Sequence, residues 1–155
     1  MRFLIQRVTQ AEVTVAGETV GSIGKGCLVL IGVSNTDTEK IADHYIHKLL
    51  SLRIFEDSEG KTNLSLADVD GQLLLVSQFT LYASCKKGNR PGFSDAGSPE
   101  LAEKLYQYII KECQKRVAVV ETGVFGAEMK VSLTNDGPFT IMLDESILPI
   151  LPQKR

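Results

Sequence analysis

The stretch LLLVSQFTL, residues 73–81, lies at the centre of the predicted fold. Its first four residues form an apolar run that is typical of a strand buried on both faces. We expect the strand to continue through the polar residues to the end of the stretch. On such a strand Ser77 and Phe79 share one face, whereas Gln78 and Thr80 share the other. Polar groups at the end of a buried strand need partners, so the stretch indicates either contacts with neighbouring loops or a ligand site.

Shorter strand-like segments surround this stretch. Each is rich in apolar or β-branched residues, and we predict strands at Phe3–Val8, Glu12–Ala16, Thr19–Ile23, Cys27–Val33, Arg53–Glu56, Val117–Glu121, Met129–Thr134 and Phe139–Leu143. These strands outnumber the predicted helices and do not alternate regularly with them. The pattern favours an α+β fold with two main helices and a largely antiparallel or mixed sheet, or a barrel-like sheet.

Two helices are indicated by their first residues and by apolar spacing. For the first, Thr36 and Glu39 fit a capping box, and apolar residues then recur at helical spacing over residues 41–50. For the second, Ser98 is predicted as the N-cap and Pro99 as the first helical residue.

Length and charge limit the classes of protein to which the chain can belong. A chain of 155 residues corresponds to one domain, which we expect at residues 1–143, followed by an irregular tail at 144–155. The 17 basic and 19 acidic residues give a net charge of −2, which excludes a protein that coats nucleic acid through bulk charge. The apolar runs are shorter than the about 20 residues that a membrane helix needs. Because the three cysteines are widely spaced, we expect a cytoplasmic protein without a disulfide framework.

The usual catalytic side chains are scarce. His44 and His47 lie three residues apart on the polar side of the first predicted helix and are expected to be solvated. Cys27 and Cys113 belong to apolar patterns and are predicted to be core residues. Cys85 precedes two lysines that would favour its thiolate, but no base is near it in the sequence. The sequence contains no zinc or phosphate-loop motif, and we predict neither a metal ion nor a cofactor.

Two further segments are unusual. The sequence NDGP at residues 135–138 lies between two predicted strands, and its composition favours a tight turn. The isomer of its Gly–Pro bond is not decided by the sequence, since only about 5–6% of such bonds are cis. Lys86, Lys87 and Arg90 form a basic loop before the second helix. Such a loop is usually solvated surface, but it also favours an anion.

Several motifs together resemble one family. They are IQRV at residues 5–8, RIF at 53–55, SQFTL at 77–81, RPGFS at 90–94 and NDGPFT at 135–140. In this order and at this chain length they resemble the D-aminoacyl-tRNA deacylases, and the resemblance extends to about residue 143.

The resemblance implies a homodimer that hydrolyses the ester between a D-amino acid and tRNA, and that also removes glycine mischarged on tRNA. It implies that Gly137 and Pro138 form a cis pair that reaches into the active site of the partner subunit. The main-chain carbonyl groups of this pair would exclude an L side chain. Arg7 matches the residue that orients the pair.

The resemblance also implies the parts of the active site. Residues 77–80 would form its catalytic segment. On physical grounds we expect the backbone N–H groups of Phe79 and Thr80 to stabilise the oxyanion that develops on the ester. By its position the Thr80 hydroxyl is a candidate nucleophile. We favour a positioning role for it instead, because no residue offers it a base, and the resemblance implies that the tRNA 2′-hydroxyl assists the reaction. Phe125 and Met129 would hold the terminal adenine, and Ala102 would line the site near the 3′ end. For the last three residues, ordinary core packing is the alternative.

The basic loop and two departures from the family pattern lead to further expectations. From charge alone, we predict that Lys86, Lys87 and Arg90 contact acceptor-stem phosphates. Phe139 stands where the family commonly has valine, and Gly92 where it often has serine. The predicted partners are the 3′ end of D-aminoacyl-tRNA and a second copy of the chain, with no DNA and no membrane. The alternatives are a non-catalytic RNA-binding module for the acceptor end and a hydrolase of small esters.

Overall fold

A computed structural model describes residues 1–146 of the chain. The tail predicted to be irregular falls largely outside the described residues, apart from a turn at Glu145 and Ser146. The elements in chain order are β1 (Arg2–Val15), β2 (Glu18–Ile23), β3 (Gly26–Gly32), α1 (Glu39–Ser51), β4 (Phe55–Glu56), β5 (Thr62–Leu64), β6 (Gln72–Ser77), a 3₁₀ helix (Phe79–Tyr82), α2 (Pro99–Gln114), β7 (Val120–Thr122) and β8 (Lys130–Leu143).

The main sheet is mixed, as predicted. Its strands follow the order β2-β1-β3-β6-β7, and β8 pairs with the other edge of β1. Strand β1 is antiparallel to β2, β3 and β8, whereas β3–β6 and β6–β7 are parallel. The sheet curls so strongly that a Cβ atom added at Gly21 in β2 would lie 2.5 Å from the carbonyl oxygen of Thr122 in β7. This close approach makes the sheet nearly barrel-shaped.

Strand β6 is buried on both faces, which explains its continuous apolar run. Leu73 and Leu75 face the core beneath the two helices, where Tyr45 of α1 and Leu105 of α2 are also buried. Alternate residues of β6, such as Leu74, face a second apolar cluster that is enclosed by β1, β2 and β3. The predicted strand at the centre of the fold is confirmed for residues 73–77.

Some predicted boundaries were wrong. The segments Phe3–Val8 and Glu12–Ala16 lie, except for Ala16, in one continuous strand, β1. The last two predicted strands are likewise joined in β8, which begins one residue later than predicted, at Lys130. These two long strands pair with each other. Register shifts between Gln6 and Val8 and between Val8 and Gln10 allow the pairing to continue across the residues that lie between the predicted segments. Helix α1 is capped by Thr38, whose side chain accepts from the N–H of Ile41, and not by Thr36. The predicted start of α2 is confirmed, with Ser98 as N-cap and Pro99 as the first residue.

Candidate active site

The polar segment after β6 does not continue the strand. Its last paired residue is Ser77, opposite Ile31 of β3, and the N–H of Gln78 donates to the Ile31 carbonyl at 2.8 Å. The chain then turns into the 3₁₀ helix that begins at Phe79. This helix packs against Gly32, where an added Cβ would lie 2.9 Å from the side chain of Leu81. The prediction that this strand reaches residue 81 was therefore wrong, and so was the predicted alternation of residues 77–80 between the two faces of the sheet. The strand ends early because its partner strand ends at residue 32.

The turn leaves two backbone donors available. Within residues 1–146, no acceptor is hydrogen-bonded to the N–H groups of Phe79 and Thr80. This follows from the geometry of a helix start, whose first N–H groups have no partner within the helix. The Thr80 hydroxyl accepts from the side-chain amide of Gln78 at 2.5 Å, and no other side chain of the described residues bonds to it.

A cavity of about 580 Å³ adjoins this turn. It brings together residues from four separate parts of the chain, and its lining is mainly apolar. Six of the residues predicted for the site lie in its wall: Ser77, Gln78, Phe79, Ala102, Phe125 and Met129. Sequence reasoning missed Phe93, which also lines the cavity and whose ring packs edge-on against that of Phe79 at 5.0 Å between centroids. Its position in the RPGFS motif is the only signal in the sequence that could have identified it.

The walls of the cavity are held by core contacts. Ala102 is buried on α2, and the ring of Phe125 lies 6.0 Å from that of Tyr106 on the same helix. The sulfur of Met129 packs so closely over Gly123 that an added Cβ there would lie 2.5 Å from it. These residues therefore pack against the core and line the cavity at once.

The NDGP segment does not form the predicted tight turn. It lies inside β8, where Asn135 pairs with Val8 and Thr140 pairs with Gln6 of β1. The four residues 136–139 bulge out of the strand opposite a single residue of β1, so that the chain continues in the same direction. The Gly137–Pro138 bond in this bulge is cis, and Gly137 has a φ of +145°.

Arg7 is the residue opposite the bulge, and its side chain makes two contacts with the bulge and one with the chain before β4. It is only 7% exposed. Its Nε donates to the Asp136 carbonyl at 2.9 Å, and its Nη1 donates to the Ile54 carbonyl at 2.7 Å. The guanidinium carbon lies 4.6 Å from the centroid of the Phe139 ring. The bulge is thus attached both to β1 and to the chain just before β4.

Asn135 closes the bulge from within, a role that sequence reasoning missed. Its Oδ1 accepts from the N–H of Phe139 at 2.5 Å. Its Nδ2 donates to Thr140 Oγ1 at 3.0 Å and to Gln6 Oε1 at 3.2 Å. The residue belongs to the NDGPFT motif, which could have singled it out.

The predicted site residues fall into separate groups. None of the residues 135–140 lines the cavity that contains Phe79, and neither does Arg7. Lys86, Lys87 and Arg90 are exposed on a hairpin that is closed by two hydrogen bonds between Ser84 and Gly92. This hairpin joins the 3₁₀ helix to Phe93, so it is adjacent to the cavity along the chain.

Other reactive side chains lie away from the cavity. Burial raises the pKa of both Cys27 and Cys113 to about 12, which keeps these thiols protonated. Cys85 is exposed. His47 is exposed as expected, but His44 is half-buried on α1, and neither histidine lines the cavity. Within residues 1–146, no cluster of His, Cys, Asp or Glu is arranged to hold a metal ion. No helix of this part of the chain is long and apolar enough to cross a membrane.

Comparison with known proteins gives consistent matches over nearly the whole chain. The sequence model of the family D-Tyr-tRNA(Tyr) deacylase matches residues 4–144. The chain is 54% identical to the D-aminoacyl-tRNA deacylase of Thermosipho melanesiensis over 93% of its length and 97% of the relative's. It is 54% identical to that of Clostridioides difficile over 94% of its length and 98% of the relative's. A solved structure named c-Myc DNA Unwinding Element Binding Protein is 44% identical, with a TM-score of 0.89 over 94% of this chain and 99% of that one.

Proposed function

Because the chain belongs to the D-aminoacyl-tRNA deacylase family, we propose that it hydrolyses the ester between a D-amino acid and the 3′ end of tRNA in the cavity beside Phe79. The main support for this proposal is the set of residues that forms the cavity wall. It unites the end of β6, the start of α2 and the segment before β8, and it adjoins two backbone N–H groups without acceptors among the described residues.

The reaction needs little from the protein, since an aminoacyl ester is already an activated acyl group. Water adds to the ester carbonyl carbon, and the carbonyl oxygen gains negative charge. The N–H groups of Phe79 and Thr80 donate to this oxygen, and such fixed donors are among the strongest contributions to catalysis of acyl transfer. The ester C–O bond then breaks, and the proton from water passes to the departing 3′ oxygen with the neighbouring 2′-hydroxyl as the relay. The products are a free D-amino acid and tRNA with an intact 3′-hydroxyl.

Among residues 1–146, no side chain is hydrogen-bonded to Thr80 as a base. Thr80 Oγ1 is hydrogen-bonded to the amide of Gln78, which cannot remove a proton. Thr80 and Gln78 therefore position the segment, and the substrate supplies its own assisting hydroxyl. In the same cavity Phe125 and Met129 provide an aromatic and a thioether surface for the terminal adenine, and Ala102 leaves room near the 3′ end.

Selection of the D-aminoacyl ester over the L-aminoacyl ester requires a second copy of the chain. The Gly137–Pro138 pair does not line the cavity of its own subunit. It bulges from β8, a strand that pairs only with β1 within residues 1–146, and Arg7 and Asn135 fix its shape. In a homodimer this bulge enters the partner's cavity and meets an L side chain with its carbonyl groups, while a D side chain or glycine avoids it. The wrong hand is then rejected by a steric clash.

The hairpin with Lys86, Lys87 and Arg90 contacts acceptor-stem phosphates, and the enzyme acts in the cytoplasm, where aminoacyl-tRNA is found. The net charge of −2 favours a contact that is restricted to one end of the tRNA, without binding to DNA.

The test compares D-tyrosyl-tRNA with L-tyrosyl-tRNA as substrates of the purified protein. We expect release of D-tyrosine and of glycine from mischarged tRNA, and no release of L-tyrosine. Binding without cleavage of the D ester would instead indicate an RNA-binding module. Equal cleavage of both hands, or cleavage of simple esters alone, would contradict the chiral mechanism.

A further inference from the structure

Two exposed aromatic rings border the cavity. Phe79 is 55% exposed and Phe93 is 37% exposed, and their rings contact each other edge to face at 5.0 Å. Among residues 1–146 only five large apolar side chains are exposed, and three of them line this one cavity, the third being Val131. Exposed apolar side chains grouped in one place mark a binding surface more often than scattered ones do.

The segment that joins the two rings is strongly basic. It is a hairpin in which Ser84 and Gly92 exchange backbone hydrogen bonds of 2.7 and 2.9 Å. Lys86, Lys87 and Arg90 project from it, all are exposed, and none forms an ion pair with another described residue. Aromatic surfaces combined with cations that follow the backbone are the usual means of binding single-stranded nucleic acid.

Resting on the proposed function, we infer that Phe79 and Phe93 form a stacking subsite for the base of the nucleotide that precedes the ester-bearing adenosine. The ester must lie at the N–H groups of Phe79 and Thr80, so the ribose of the terminal nucleotide lies there too. Its adenine is directed to Phe125 and Met129. The chain of the tRNA therefore leaves the cavity past the exposed rings, and its phosphates meet the cations of the hairpin. A nucleotide has a base whose π-face matches an aromatic ring, and a negatively charged phosphate that matches the cations of the hairpin.

The experiment measures how much one extra nucleotide contributes to catalysis. Two substrates are compared, the D-tyrosyl ester of adenosine and that of the dinucleotide CpA, and the quantity of interest is the ratio of their kcat/KM values. For the wild-type protein we expect the dinucleotide to be favoured by about fivefold to a hundredfold, as for one stacked base. Phe93→Leu retains an apolar side chain without a ring, and it should reduce this ratio to near one. Phe93→Tyr retains the ring and should retain the ratio.

The control is Val20→Ala, which changes an exposed apolar residue of β2 that is 38% exposed and does not line the cavity. It should leave the ratio at the wild-type value. Thermal unfolding of each variant shows whether the fold is intact.

Several results would overturn the inference. A wild-type ratio near one, or an unchanged ratio in Phe93→Leu, would show that no base stacks there. A changed preference between D-tyrosyl and D-alanyl esters of adenosine in Phe93→Leu would place the amino-acid side chain on the rings instead. A sedimentation coefficient of Phe93→Leu that differs from the wild-type value would identify the rings as a subunit contact. Failure of the wild-type protein to cleave either ester or D-tyrosyl-tRNA would refute the proposed function itself, whereas cleavage with a ratio near one refutes the subsite alone.

Discussion

The substitution Gly137→Ala tests the bulge in β8 most directly. At a φ of +145° an alanine is strained, which costs about 1–3 kcal/mol. The new methyl group would also lie 2.9 Å from the backbone nitrogen of Phe139 and 3.3 Å from Arg7 Nη2. The backbone nitrogen cannot move without disturbing its hydrogen bond to Asn135 Oδ1, so the bulge must shift. Overpacking of this kind adds about 1–3 kcal/mol.

The expected consequence is a loss of catalysis that exceeds the loss of stability. A misplacement of about 1 Å in a positioning group can cost about a hundredfold in rate, and we expect D-tyrosyl-tRNA turnover to fall by about this factor. The assay is single-turnover deacylation of D- and L-tyrosyl-tRNA, with urea unfolding measured on the same preparations.

The matched control is Gly60→Ala. Gly60 also has a positive φ, +76°, but an added Cβ there would have no atom within 4 Å. This variant should lose about 1–2 kcal/mol from the unfavourable φ and retain normal turnover. Unchanged D-selective turnover in Gly137→Ala would refute the role of the bulge. Equal loss of turnover in both variants would show that activity follows stability alone.

Four further predictions concern stability and positioning. The unfolded thiols of Cys27 and Cys113 ionise near pH 9.0 but the folded ones only near about 12, so stability should fall as pH rises through this window. The slope should be about 1.4 kcal/mol per pH unit for each thiol, measured by urea unfolding, and a flat profile would contradict it. Tyr106→Phe removes a buried 2.7 Å hydrogen bond to a carbonyl that also accepts from another N–H, and should cost about 1 kcal/mol. Ser98→Ala removes the N-cap of α2 and should also cost about 1 kcal/mol in urea unfolding, whereas Thr36→Ala removes no cap, only a 3.3 Å contact with Ser34 Oγ, and should cost less. Arg7→Lys cannot reproduce both carbonyl contacts and should lower turnover of D-tyrosyl-tRNA by about tenfold to a hundredfold, whereas wild-type turnover would contradict its positioning role.

Features encoded by nearby side chains could be predicted from the sequence. The N-cap at Ser98 and the proline after it specify the start of α2 within a few residues, and the prediction was correct. The apolar run of residues 73–76 is buried on both faces, as expected. The prediction of Thr36 as a cap was wrong because Thr38, two residues later, can cap the same turn, and local pattern does not distinguish between them.

Features that depend on a partner strand could not be predicted. The strand after Leu73 ends at Ser77 because β3, its neighbour, ends at Gly32. The NDGP segment has the composition of a turn, but it becomes a bulge because the residues on both sides of it pair with β1. Phe93 was missed because its contact with Phe79 spans a hairpin whose closure is not visible in the pattern of residues.

The sequence by itself determined the family, the α+β class and the residue types available for chemistry. A chain with two histidines outside any motif, and with its cysteines in apolar patterns or without a base, has few side chains for catalysis, and this is a property of composition. Only the tertiary structure decided that residues 77–79, 102, 125 and 129 share one cavity and that Gly137 lies outside it. The physical reason is that motifs and caps act over a few residues, whereas a cavity is formed by strand ends and helix starts that meet only when the sheet curls and the helices pack on it.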